Sequence, residues 1–189
     1  MRRFAATFVA VIAVFSGLAM SSAEEGAKVD VIKLSEGKIT LPAPASWERK
    51  QPRTRIVEHE FAAKGPEGTS PARITLMGAG GGVEANIDRW VGQFRQKDGS
   101  SSRDKTKVER AKVGDTEVHV VDISGVYQDS PGGPFAGGRV IPREDYRMLA
   151  AIIVTPKSGH YFIKMIGEAD TVEANAKAFR EMLTKLNVK

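Results

Sequence analysis

The chain has 189 residues, 28 of them basic and 23 acidic, for a net charge of +5, and it contains no cysteine. The missing cysteine excludes disulfides, thiolate metal sites and cysteine nucleophiles. The modest positive charge points to no class of partner, and aromatics are not interleaved with the basic residues as a single-stranded nucleic acid site requires.

The first residues read as an export signal. Arg2 and Arg3 precede an apolar or small run from Phe4 to Met20, and Ser21-Ser22-Ala23 offers the small residues that a signal peptidase reads. A run of about 17 residues is at the short limit for spanning a bilayer, so cleavage after Ala23 is expected, with an uncleaved anchor as the alternative. The mature chain then has 166 residues and, with 26 basic and 23 acidic ones, a net charge of +3. The expected organisation is a signal peptide over 1–23, an entry segment over 24–36 and one domain over 37–189, periplasmic or extracellular. Membrane contact is expected only if the N-terminal segment stays attached.

Within the entry segment "VDVIKL" allows a short first strand, and "GKITLPAP" is a strand ended by Pro42 and Pro44. "RTRIVEHEFAA" alternates well enough for a longer strand with Val57, His59 and Phe61 on one side, and "ARITLMG" over 72–78 alternates again. A helix follows over 84–97, because Val83, Ile87, Trp90, Val91 and Phe94 form one apolar stripe, and Gly99 ends it. "TKVERAKVG" and "TEVHVVDISGVYQ" read as a hairpin turned at Gly114-Asp115. A long loop from Asp129 to Arg143 separates it from a second hairpin, "DYRMLAAIIVTP" and "GHYFIKMIG". A last helix over 171–187 carries Val172, Ala176, Phe179, Met182, Leu183 and Leu186 on one face, with Asp170 and Glu173 spaced as a capping box. Runs of strands separated by helices predict an α+β fold, a central antiparallel sheet with two amphipathic helices packed on it. "VEAN" opens both helices, at Val83 and Val172; a duplication would produce this echo, and so would convergence on helix-start chemistry.

The glycines of "GAGGGVEAN" resemble a phosphate-cradling loop, but no lysine follows them and no parallel crossover returns to the preceding strand. They read as a strand-to-helix turn. His59, His119 and His160 are dispersed, and neighbouring strand residues point to opposite faces, so no metal site is expected. Ser124 or Ser158, His119 or His160, and Asp122 would be needed for a hydrolase, yet no nucleophile elbow frames either serine. No catalytic residue and no cofactor are expected.

Two basic clusters remain, Arg49-Lys50-Arg53-Arg55 and Arg103-Lys105-Lys107-Arg110-Lys112; the second gives a strand with one cationic face, read as a guarded sheet edge. The loop from Asp129 to Arg143 is the strongest binding candidate, since prolines restrict it and glycines allow close approach. Phe135 would be its apolar anchor, and Arg139 and Arg143 its cationic rim. The alternative is that Phe135 folds back onto the sheet. The partner is expected to be a protein or a small molecule, not a nucleic acid; a small hydrolase and a carrier of an apolar ligand are the competing readings.

Taken together, "ITLPAPASW", a strand ending "EHEFAA", "NIDRWVGQF" and "YRMLAAIIVTPKSGHYFIKMIGEADTV" resemble small exported proteins of the PsbP-like α/β/α sandwich superfamily. The resemblance spans roughly residues 37–187, and "NIDRWVGQF" with "YFIKMIG" is its most specific part. It implies the fold and a non-enzymatic binding role, and it implies no site residue.

Overall fold

The computed structural model describes residues 30–131, 139–155 and 159–189. Its strands are β1 (Val31–Leu34), β2 (Ile39–Pro42), β3 (Trp47–Lys50), β4 (His59–Ala63), β5 (Ala72–Ala79), β6 (Phe94–Arg95), β7 (Lys107–Val113), β8 (Thr116–Asp129), β9 (Ile141–Thr155), β10 (Gly159–Glu168) and β11 (Asn187–Val188). The helices are α1 (Val83–Val91) and α2 (Ala169–Thr184). Strands β3-β4-β5-β10-β9-β8-β6 lie side by side in that order, with β7 also on β8, and a small sheet has the order β1-β2-β11. Every described strand pair is antiparallel.

Period-two alternation on β8, β9 and β10 divides the core between the two faces of the large sheet. Val118, Val120, Leu149, Ala151, Ile163 and Met165 join Phe179, Met182 and Leu183 of α2 and the small sheet on one face. Val121, Ile123, Met148, Ala150, Ile152 and Phe162 join Ile87, Trp90 and Val91 of α1 on the other. Both stripes read from the sequence are therefore core: Ile87 and Phe179 are fully buried, and Trp90 meets Phe162 edge-on at 5.0 Å. Ile32 and Leu34, at the end of the entry segment, are also fully buried.

Several local expectations give way to tertiary contacts. The first helix ends at Val91, not near residue 97. Gln93 gives its carbonyl to the Gln128 N–H at 2.8 Å, and Phe94 pairs with Tyr127, so strand pairing wins over helical spacing. The strand expected across "RTRIVEHEFAA" is limited to His59–Ala63. The Arg53 N–H points to the Glu60 carboxylate and Val57 bonds back to Thr54, which turns this segment on itself. The capping box of the last helix does not form. β10 runs directly into the helix with Glu168 at its cap, and Glu173 reaches out to Arg147. The hairpin turned at Gly114 is present, with that residue at φ +58°.

Candidate binding surface

The segment from Asp129 to Arg143 is not all loop. β8 and β9 stay paired out to Asp129 and Ile141, so the hairpin stem extends past the end of β10 and narrows the connection. The register shifts between Gly125 and Tyr127, a bulge that bends the stem. Gly125 is at φ +152°, and a Cβ there would lie 2.7 Å from the Arg95 carbonyl oxygen, so close approach of β6 demands glycine. Past the bulge, Tyr127 packs with the α1-side core, 5.4 Å from the Phe94 ring and stacked on Tyr146 at 6.1 Å. The stem thus folds over the α1 face.

Arg139 and Val140 stand exposed at the outer end of this stem, next to its last pair, Val140 at 47%. Arg143 lies on β9, exposed and paired with Asp129 at 3.3 Å, so part of the expected cationic rim has an internal counterion. Phe135 lies outside the described residues.

Beneath the bent stem the same face carries a polar cluster that no sequence motif announced. Glu60 on β4 is 4% exposed and takes two hydrogen bonds from the Arg73 guanidinium on β5, at 2.9 and 2.8 Å. That guanidinium holds the Glu60 carboxyl below the usual range, with help from the Arg53 N–H. The Glu60 carboxylate in turn raises the pKa of Arg73. On β10, half-buried Lys164 donates to the Gln93 side-chain oxygen at 2.9 Å and lies 5.8 Å from the centre of the Tyr127 ring. Burial, then the charges of Arg73 and Arg89, bring its amine down to about 8. Burial and then the Asp129 charge push the Tyr127 phenol up. Alternation on β4, β5 and β10 is the signal that places Glu60, Arg73 and Lys164 on one face; only the strand order makes them neighbours.

The residues a hydrolase would need are divided by the sheet. Asp122 is held by two bonds from Arg147 at 2.8 Å, and Arg147 also reaches Glu173 of α2, so Asp122 and exposed Ser124 share the α2 face. His119 and His160 take the alternate positions on β8 and β10, toward α1. Ser158 lies outside the described residues. Two shallow clefts on the α2 side share Gln96, Lys105 and Ser124 and are bordered by charged side chains. His59 is a structural tie, linking Arg49 at 2.9 Å to the Lys33 carbonyl at 2.8 Å.

The second basic cluster does not make one cationic strand face. Residues 103–106 form a turn, Arg103 and Arg110 bind Glu84 of α1, and Lys107 borders a cleft on the α2 side. In the first cluster Arg49 pairs with Asp30, Lys50 with Glu48 and Arg53 with Glu60. The glycine stretch is the expected turn: β5 ends at Ala79 and α1 starts at Val83.

No protein-family model matches the sequence, and no curated protein matches it either. Solved structures do resemble it. CyanoP, the cyanobacterial PsbP of Synechocystis sp. PCC 6803, has a TM-score of 0.51 at 10% identity, over 91% of this chain and 99% of that one. LpqN of Mycobacterium tuberculosis, described as involved in cell envelope biogenesis, has a TM-score of 0.46 at 10% identity, over 87% of each chain. The Ran-binding protein Mog1p of Saccharomyces cerevisiae has a TM-score of 0.47 at 10% identity, over 85% of this chain and 95% of its own. At such identity the likeness is one of fold, and the CyanoP overlay carries it. A large antiparallel sheet with α1 on one face and α2 on the other makes this chain an α+β protein whose fold resembles that of CyanoP.

Proposed function

We propose that the mature protein is an exported, non-catalytic binding or assembly module whose protein partner docks on the projecting β8–β9 hairpin. The observation that supports this reading is the stem itself. It continues beyond the sheet, bends at Gly125 over the α1 face and leaves Val140 exposed beside exposed Arg139. An exposed apolar residue rimmed by arginine is a common interface arrangement. Phe135 is proposed as the anchor of the tip, with Arg139 and Arg143 as its rim.

Affinity capture from the native envelope tests this, using the wild-type chain, a chain lacking residues 132–138, and the pair Arg139→Glu with Arg143→Glu. Loss of one co-purifying protein from both variants, with thermal unfolding unchanged, is the expected result. Undiminished capture by both folded variants would place the interface elsewhere. Export is proposed from Arg2, Arg3 and the apolar run to Met20, a stretch outside the described residues. Intact-mass measurement of the envelope protein should find Glu24 or a near neighbour as the first residue, and an intact Met1 in a membrane pellet would overturn it.

A further inference from the structure

We propose that the α1 face holds a binding site for an oxyanion, the carboxylate or phosphate group of a small ligand, with Lys164 as its central donor. The site is separate from the hairpin tip and does not depend on the docking role given to it.

The charges on this face do not balance. Glu60 is already shared by Arg73 at 2.8 Å and Arg53 at 3.5 Å. Asp129, the other carboxylate acting on Arg73, is taken by Arg143 at 3.3 Å. That leaves Lys164 and Arg89. Among the described residues neither has a carboxylate partner: Lys164 donates to Gln93, and Arg89 donates to the side-chain oxygen of Asn86. An ammonium withdrawn from water needs a counterion or must give up its proton. Here its described hydrogen-bond partner is one neutral amide, and the charges it meets from β5 and α1, Arg73 and Arg89, are both positive.

A helical or sheet core does not require this arrangement. On β10 the neighbouring positions on the same face are Phe162 and Ile166, and a methionine at 164 would pack there at lower cost. The side chain nevertheless stays in contact with solvent and Arg89 is exposed, so both are open to an incoming anion. The Arg89 guanidinium and the Lys164 ammonium offer the forked and point donors that carboxylates and phosphates take, and Arg73, already bidentate to Glu60, adds positive charge. The phenol of Tyr127, held protonated by burial, adds a neutral wall and excludes water from one side. Gln93 holds the ammonium in place through its oxygen.

Nuclear magnetic resonance titrations of the full mature chain test the site. Inorganic phosphate and acetate are the probes, with sodium chloride holding ionic strength constant. One of them is expected to shift the Gln93, Tyr127 and Lys164 signals in a saturable way. Lys164→Met should weaken that binding at least tenfold and Arg89→Gln several-fold, with Lys164→Arg restoring part of it. Saturation by phosphate with acetate silent assigns a phosphate group, and saturation by acetate assigns a carboxylate. The second readout uses the unmodified sequence and so stands even if Lys164→Met fails to fold. A bound anion favours the ammonium, so the Lys164 amine pKa must rise from about 8 by roughly the logarithm of the affinity ratio. Unsaturable shifts with both probes, or an amine pKa unmoved by either, would overturn the site.

Discussion

Asn86 and Asn175, the last residues of the two Val-Glu-Ala-Asn stretches, are buried and make the same pair of hydrogen bonds. Asn86 donates to the Gly82 carbonyl four residues back and to Gly80, and Asn175 donates to Thr171 four residues back and to Lys64. Asn86 pins the glycine turn that leads into α1, whereas Asn175 ties α2 to the connection after β4. The helices lie on opposite faces, whereas a two-fold axis relating adjacent antiparallel β5 and β10 would put both on one face, so this geometry favours convergence on helix-start chemistry.

Either Asn→Ala change should therefore destabilise the protein by about 1–3 kcal/mol, the cost of losing two side-chain hydrogen bonds made by a buried amide. Asn175→Ala should cost more, since it also strips the Trp47 indole N–H of its acceptor at 3.3 Å. Urea unfolding measures both. Equal losses would show that the Trp47 bond contributes nothing.

The core stripes predict larger losses. Phe179 is fully buried beside Trp47 at 6.3 Å, and Trp90 lies against Phe162. Truncation of either to alanine should cost about 3–5 kcal/mol, because each leaves a cavity in a packed layer. A chemical denaturation loss below about 1 kcal/mol at either position would mean that its face is not core.

Lys164 should make stability depend on pH in the alkaline range. Its folded amine is near 8 against an ordinary 10.5, so between these values the unfolded chain binds the proton and the folded chain does not. Stability from this group therefore rises with pH across that window. Relative to Lys164→Met, the wild type should gain stability from pH 7.5 to pH 10, read from urea midpoints. Parallel pH profiles for the two proteins would contradict the burial of the amine.

Arg73 and Glu60 predict a second rise of stability with pH, in the acid range. Glu60 is held below its ordinary value of 4.5, so its contribution is present above that value and is lost as pH falls through the folded pKa. Arg73→Ala should cost about 2 kcal/mol at neutral pH, less than a fully buried pair because the Arg73 side chain is 40% exposed. Glu60→Gln should flatten the acid limb of the stability profile.

Gly125→Ala should disturb the bent stem specifically. The added carbon meets the Arg95 carbonyl oxygen at 2.7 Å, and the backbone there disfavours any side chain. A loss of about 1–3 kcal/mol is expected, with amide exchange rising first at Phe94, Arg95 and Tyr127. Faster exchange spread evenly over the sheet would argue against a local hinge.

The sequence by itself determined the elements whose signal is local. Helical spacing placed Ile87, Trp90, Val172 and Phe179 on buried faces, and alternation marked β5, β8, β9 and β10. Turn glycine at 114 located a hairpin. Tertiary structure alone decided where α1 stops, since the partners of Gln93 and Phe94 are Gln128 and Tyr127, more than thirty residues away. It alone decided that β8 and β9 remain paired to Asp129 and Ile141, which moved Asp129 and residues 141–143 from the expected loop into a bent stem. It alone brought Glu60, Arg73, Gln93 and Lys164 together, from three strands and the end of a helix. The reason is physical: helix and strand periodicity are properties of neighbouring residues, whereas strand order, register and charge balance depend on contacts between distant ones, which no window along the chain contains.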